Sequence, residues 1–262
     1  MTAGAGVPVI ASGYLGSRIG DRRILLGAIA LLIGAAWLAL WQLDASPYGR
    51  YLHHDTTAGL GGPLEAALFV GGWTLMIVAM MLPTTIPLLA TFAALVQRRR
   101  RSSMLVGLVI SGYVVAWAAF GLVAWLGDRV VHLSVDAIPP LAAYPQVILA
   151  TTLAVAGLYQ FSSLKYRCLD ECRSPLGFVI GRWQGRSERT ESFRLGIAHG
   201  VFCIGCCWSL MLVMFGAGLG NLAWMFGLAV LTSIEKNAPW GRRIGRPLGV
   251  ALILAGLAVL NG

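Results

Sequence analysis

The stretch His199-Gly-Val-Phe-Cys-Ile-Gly-Cys-Cys-Trp-Ser-Leu-Met-Leu-Val-Met-Phe-Gly216 places an imidazole and three thiols in an otherwise apolar run. A run of this length predicts a membrane-spanning helix. At about 100° per residue, four ligand-type side chains fall within an arc of roughly 100°: His199, Cys203, Cys206 and Cys207. With a rise of about 1.5 Å per residue, His199 and Cys206 lie about 10 Å apart along the axis. The three thiols could therefore share one ion, whereas His199 needs another partner.

The composition is that of an all-α integral membrane protein. Of the 262 residues, 57% are apolar and 12% are charged, and the mean hydropathy is +0.74. A net charge of +9 also occurs in nucleic-acid-binding proteins, but here the basic residues lie between hydrophobic runs and form no patch on a soluble domain. We therefore interpret the charge as a topology signal and expect no nucleic-acid partner.

Seven mostly apolar runs predict a polytopic transmembrane helical bundle. They cover residues 24–43, 66–96, 104–127, 146–164, 195–216, 219–234 and 246–260. The second run is long and contains Pro83 and Pro87, so we expect it to form one tilted or kinked span rather than two.

The basic residues predict an orientation independently of the spans. With the N-terminus in the cytoplasm, 18 of the 20 lysines and arginines lie in cytoplasmic segments, and only Arg50 and Arg129 lie outside. We expect an N-in, C-out protein of the inner or plasma membrane, embedded in the lipid bilayer. Residues 1–23 form a cytoplasmic tail without the pattern of a removable signal peptide, and residues 24–262 form one domain with a cytoplasmic loop over 165–194.

The second run carries sulfur on one stripe. Trp73, Met76, Met80, Pro83 and Pro87 recur at intervals of three and four residues. Such methionines often fill gaps in a core. Alternatively, Met76, Met80 and Met81 supply thioethers, which select copper(I) over harder ions. Met80 lies about halfway through its span, as Cys206 and Cys207 do through theirs, so a shared site near the membrane midplane is geometrically allowed.

A second cysteine pair, Cys168 and Cys172, follows the fourth predicted span. If the helix continues for one more turn, the two thiols lie on one face at i, i+4 spacing and could grip one ion at the cytoplasmic rim. His199 is predicted near the same rim. Cys168, Cys172, His199 and Cys203 could then complete a tetrahedral soft site, or the pair is simply two reduced thiols four residues apart.

Three other features have ordinary interpretations. We expect Glu235-Lys236, at the inner end of the sixth span, to form an ion pair or a snorkelling pair at the interface. Gly107 with Ser111 is a small-residue face of the kind that lets helices approach closely. His53-His54-Asp55, in an outer loop, is either solvated polar sequence or a site for an oxidised metal ion.

The motifs also resemble a known family. Trp73-Thr-Leu-Met-Ile-Val-Ala-Met-Met-Leu-Pro83, the Cys168-Leu-Asp-Glu-Cys172 segment and His199-Gly-Val-Phe-Cys-Ile-Gly-Cys-Cys-Trp208 resemble an uncharacterised bacterial family of predicted metal-binding integral membrane proteins. The resemblance extends from about Gly72 to the C-terminus. It implies metal binding and nine ligands: Met76, Met80, Met81, Cys168, Cys172, His199, Cys203, Cys206 and Cys207.

The sequence supports three functional hypotheses. The first is a membrane protein that binds a soft metal, copper(I) or alternatively zinc, and hands it on or inserts it into a partner, alone or in a complex or homo-oligomer. The second is an accessory subunit of a larger membrane metalloenzyme, because the chain is small and has no soluble domain. The third is an enzyme that uses Cys168 and Cys172 in disulfide exchange, but their spacing and predicted location argue against it.

Overall fold

The computed structural model describes residues 10–46, 62–137, 144, 146–217 and 222–261. All regular structure within these ranges is helical. The α-helices are α1 Ile10–Asp44, α2 Gly62–Met80, α3 Ile86–Val96, α4 Ser102–Ala137, α5 Gln146–Tyr159, α6 Ser163–Arg173, α7 Pro175–Arg182, α8 Glu188–Ala217, α9 Leu222–Asn237 and α10 Gly245–Asn261. Two short 3-10 helices cover Pro83–Thr85 and Gly241–Arg243. The loop residues His53, His54 and Asp55 lie outside the described residues.

Helix α8 is the centre of the bundle. It packs against α4, α5 and α6, and 56% of its apolar window is buried, whereas the other membrane-length helices have 17–33% buried. The α4–α8 contact is close because glycines face backbone: a Cβ on Gly112 would lie 2.2 Å from the carbonyl oxygen of Phe193, and one on Gly196 would lie 2.0 Å from that of Val109. The predicted face at Gly107 is wrong, since nothing lies within 4 Å of a Cβ there.

The long second run is broken rather than continuous. Helix α2 ends at Met80, a 3-10 turn covers Pro83–Thr85, and α3 begins at Ile86. Proline removes a backbone donor and disrupts the helical ladder. Thr84 and Thr85 donate their hydroxyls to the carbonyl oxygens of Met81 and Leu82, each at 2.7 Å, and so satisfy acceptors in the break. The predicted kink is thus a change of helix type, and α9 packs directly against it.

The segment 165–194, which the sequence predicts as a cytoplasmic loop between spans, is mostly helical. Helix α5 ends at Tyr159, and α6 begins after a bend of 65°. Ser162 caps α6 by accepting a hydrogen bond from the backbone of Lys165 at 3.2 Å. Because of this bend, the segment that carries Cys168 and Cys172 turns back against α8.

Five helices are long and apolar enough to cross a membrane, or six if the bent α5–α6 pair counts as one crossing. These counts apply to the described residues alone. Helix α9, which corresponds to the sixth predicted span, has 16 residues and does not meet the length criterion. The seven crossings and the N-in, C-out orientation therefore remain predictions.

Candidate metal centre

The three thiols of α8 are buried on one side of the helix. Cys203, Cys206 and Cys207 are each at most 1% exposed. The thiols of Cys206 and Cys207 donate to the carbonyl oxygen of Cys203, at 3.1 and 2.9 Å. The helix therefore holds these two thiols close to the third residue, as the predicted arc requires.

The sulfur of Cys203 is contacted by polar groups of two other helices. The Lys236 ammonium, at the end of α9, donates to this sulfur at 2.8 Å. The Tyr113 hydroxyl of α4 lies 3.1 Å from the same sulfur. An ammonium so close to a buried sulfur stabilises the thiolate form, which is the form that binds metals.

Met81 brings a thioether to the same cluster. Its sulfur lies 3.9 Å from the sulfur of Cys207 and is fully buried in the break after α2. Met76 and Met80 are also buried, on α2. The sequence predicted a shared depth for Met80 and the α8 thiols, whereas the thioether that reaches Cys207 belongs to the next residue, Met81, which is not on the predicted stripe.

Helix α6 adds one of its two thiols to the cluster. The half-buried Cys172 lies close enough to Cys206 for the two thiols to interact. Cys168 packs beside the cluster: its sulfur lies over Gly205, where a Cβ would approach it to 2.5 Å. We therefore define the thiol cluster as Cys172, Cys203, Cys206 and Cys207.

His199 lies between two aromatic rings. The ring centroids of Tyr113 and Phe178 are 5.8 and 5.4 Å from that of the imidazole. The imidazole is 3% exposed, and its Nδ1 has no hydrogen-bond partner among the described residues. His199 thus places a buried imidazole nitrogen, a possible metal ligand, one helical turn before Cys203.

The described residues contain no group of three His, Cys, Asp or Glu side chains arranged to hold one ion. The structure does not assemble the predicted tetrahedral site of Cys168, Cys172, His199 and Cys203, and the three α8 thiols do not form a complete three-ligand site either. Zinc prefers four such ligands, whereas copper(I) is stable with fewer and accepts thioethers. Pairs of thiols beside a methionine therefore suit copper(I).

A family model described as a copper chaperone, PpoB2, matches residues 70–259. The chain belongs to the PpoB2 family. No curated protein and no solved structure matches it. Membership supports a copper-related role, and the matched region contains all nine predicted ligands.

The PpoB2-family chain also holds a buried ionic contact that the sequence did not predict. Lys165, in α6, is paired with Glu235 and hydrogen-bonded to Gln160. Arg173 donates to the backbone carbonyls of Glu235 at 2.6 Å and of Lys236 at 3.3 Å, so it caps α9. The prediction of an interfacial Glu235-Lys236 pair is wrong, because both side chains are buried and face different partners.

One signal could have identified this pair as part of the site. Glu235 and Lys236 are the only charged residues in the 16 residues of α9. Ionisable residues in apolar spans usually face the interior of a bundle and pair there. Tyr113 had no comparable signal, because a tyrosine in an apolar helix is common in cores and at interfaces.

Proposed function

We propose that the protein is a membrane-embedded copper chaperone that binds copper(I) at the thiol cluster with Met81. The observation that carries this proposal is the meeting of Cys203, Cys207 and Met81 from two helices in the buried core. Family membership supports the identity of the ion. Thiolate and thioether donors together favour copper(I) over harder ions.

The cluster offers two thiol pairs at different exposure. Cys172 and Cys206 form the outer pair, since Cys172 is half-buried. Cys203 and Cys207 form the inner pair, fully buried beside Met81. We propose that copper(I) enters at the outer pair and passes to the inner pair by exchange of one thiolate at a time. Such an exchange keeps the ion ligated while it moves, as a chaperone requires.

The apolar helices support a location in the lipid bilayer. Five helices have the length and composition to cross it. With the N-in, C-out orientation, Cys172 and the positively charged α6–α7 segment face the cytoplasm. The proposed role is binding and transfer to a recipient protein without catalysis, with no part for nucleic acid, and a homo-oligomer or a larger complex is compatible with it.

The test is the copper content of the full-length protein, purified anaerobically in detergent and loaded with copper(I). We expect about one copper per chain in the wild type and almost none in a variant with Cys203, Cys206 and Cys207 all replaced by Ser. Elemental analysis after removal of free copper with a copper(I) chelator measures both.

Cys168→Ser is the matched control, because Cys168 lies on the same helix as Cys172 but packs against Gly205. We expect this variant to retain wild-type copper. If the triple variant keeps its copper while Cys168→Ser loses it, the assigned site is wrong. If the wild type binds no copper and co-purifies with another protein, the accessory-subunit hypothesis replaces this proposal.

A further inference from the structure

Lys236 is a buried lysine whose ammonium lies beside the proposed copper site. Its ammonium donates to the sulfur of Cys203 at 2.8 Å and to the hydroxyl of Thr84 at 3.3 Å. The side chain is 5% exposed, and it extends from α9 towards α8 and the break after α2. A lysine is rarely buried unless it is paired.

Lys236 donates to a sulfur and not to a carboxylate. The adjacent Glu235 is directed to Lys165 and has its own counter-ion there. The groups that the structure shows in contact with the Lys236 ammonium are the sulfur of Cys203 and the uncharged hydroxyl of Thr84. The buried cation therefore lies directly beside a residue that we propose as a copper ligand.

This geometry restricts the charge of the bound ion. An ion held by Cys203 and Cys207 as thiolates would lie beside the Lys236 ammonium. Two thiolates, one monovalent ion and one ammonium sum to zero. A divalent ion at the same two thiolates leaves one uncompensated positive charge in an apolar core, where isolated charges are strongly disfavoured.

A third thiolate would restore neutrality for a divalent ion, but the described residues do not arrange three such ligands around one point. We propose that Lys236 is the residue that makes the site selective for monovalent copper over divalent ions. Lys236 does not bind the metal in this proposal; it remains an ammonium and sets the charge that the ion must have. The inference rests on the proposed function and adds the basis of its selectivity.

The experiment compares silver(I), a soft monovalent ion without redox chemistry, with cadmium(II), a soft divalent ion. Dissociation constants for both are measured by competition with chelators on the full-length protein in detergent. We expect the wild type to bind silver(I) more tightly than cadmium(II). In Lys236→Met, which has similar length and no charge, we expect the preference for silver(I) to fall by about tenfold or more.

Two variants serve as controls. Lys236→Arg keeps the charge, and Thr84→Val removes the neutral hydrogen bond to Lys236, so both should retain most of the wild-type preference. An unchanged preference in Lys236→Met overturns the proposal. If Lys236→Met does not fold, the proposal is still overturned by a wild type that binds cadmium(II) as tightly as silver(I), or by Thr84→Val losing as much preference as the charge argument assigns to Lys236.

The triple replacement of Cys203, Cys206 and Cys207 by Ser separates this inference from the proposed function. Loss of silver(I) binding in that variant, together with wild-type selectivity in Lys236→Met, refutes the role of Lys236 and leaves the copper site standing. Retention of silver(I) by the triple variant refutes the site itself.

Discussion

Lys165 and Lys236 are both buried lysines. Lys165 contacts α9 from α6, Lys236 belongs to α9, and the two ammonium groups differ in the group that each contacts. Lys165 extends from α6 to the carboxylate of Glu235. Lys236, the next residue after Glu235, extends to the sulfur of Cys203. A carboxylate is a poor ligand for a soft metal, whereas a cysteine sulfur is the ligand that such a metal prefers.

The difference separates a structural contact from a functional one. The Lys165–Glu235 pair joins α6 to α9 and leaves no role for a metal. The Lys236–Cys203 pair joins α9 to α8 through an atom that we propose copper also uses. Lys236 directly follows Glu235 in α9, so the Lys165–Glu235 pair also helps to position Lys236. Removal of Lys165 should therefore act mainly on folding, and removal of Lys236 mainly on metal selectivity.

Lys165→Met should have the largest effect on folding. It leaves the carboxylate of Glu235 buried without its counter-ion, and breaking a buried pair in this way costs about 3–5 kcal/mol. Denaturant-induced unfolding in detergent, followed by circular dichroism, measures the loss. Lys236→Met should cost less, about 1–3 kcal/mol, because it removes hydrogen bonds to Cys203 and Thr84 and leaves no carboxylate without its counter-ion.

The double variant Lys165→Met/Glu235→Met is the control for Lys165→Met. Replacing both charges with apolar side chains of similar size should recover most of the lost stability, as in other buried pairs. The copper content of the double variant should remain near that of the wild type. Equal stabilities for Lys165→Met and Lys236→Met would show that the two pairs do not differ as described.

The next largest effect is expected at Gly241, in the turn that follows α9. A Cβ at this position would lie 2.2 Å from the carbonyl oxygen of Ile234 and 2.6 Å from that of Glu235. Gly241→Ala must displace the end of α9 and should cost about 1–3 kcal/mol in the same unfolding assay. It should also increase labelling of Cys203 by a maleimide, because Lys236 moves with the turn.

Gly107→Ala is the matched control for Gly241→Ala. It lies inside α4, and a Cβ there meets nothing within 4 Å. Alanine is the better helix former, so stability should be unchanged or increase by up to about 1 kcal/mol. A loss in Gly107→Ala as large as that in Gly241→Ala would mean that the close contact at the α9 turn is not the cause.

Periodicity in the sequence predicts part of this site. The arc of Cys203, Cys206 and Cys207 follows from helical spacing alone, and α8 is a continuous helix through all three. The depth argument was made for Met80, and the sulfur that lies 3.9 Å from that of Cys207 belongs to the next residue, Met81, in the break after α2. The arc needs only the regular turn of a helix, whereas the contact at Met81 depends on the break.

The remaining contacts depend on bends that periodicity does not reveal. The bend of 65° before α6 directs Cys172 to Cys206, and the small residue Gly205 leaves room for Cys168. The role of Lys236 was missed because residues at the membrane interface are also charged residues at the end of an apolar run. Only the contact with Cys203 distinguishes a buried lysine from an interfacial one.

The smallest expected effect lies away from both lysines, at Glu191 in the first turns of α8. Its carboxylate accepts the backbone N–H groups of residues 184–187 at 2.7–3.1 Å. These bonds, that of Ser187 first, lower the pKa of Glu191 below its ordinary value of 4.5. The carboxylate therefore orders this loop above pH 4.5, and the ordering is lost as the pH falls through the lowered pKa.

Glu191→Gln replaces one acceptor oxygen with a donor group and so cannot accept all four bonds. Amide hydrogen exchange of residues 184–187, corrected for intrinsic rates, should accelerate at neutral pH by less than about tenfold. The difference from the wild type should shrink as the pH falls below 4.5.

Glu188→Gln is the control, because Glu188 pairs with the exposed Arg99 and does not bind the loop backbone through these contacts. Copper content should not change in either variant, since neither side chain touches the thiol cluster, and a loss of copper in Glu191→Gln would show that the loop and the metal site are coupled.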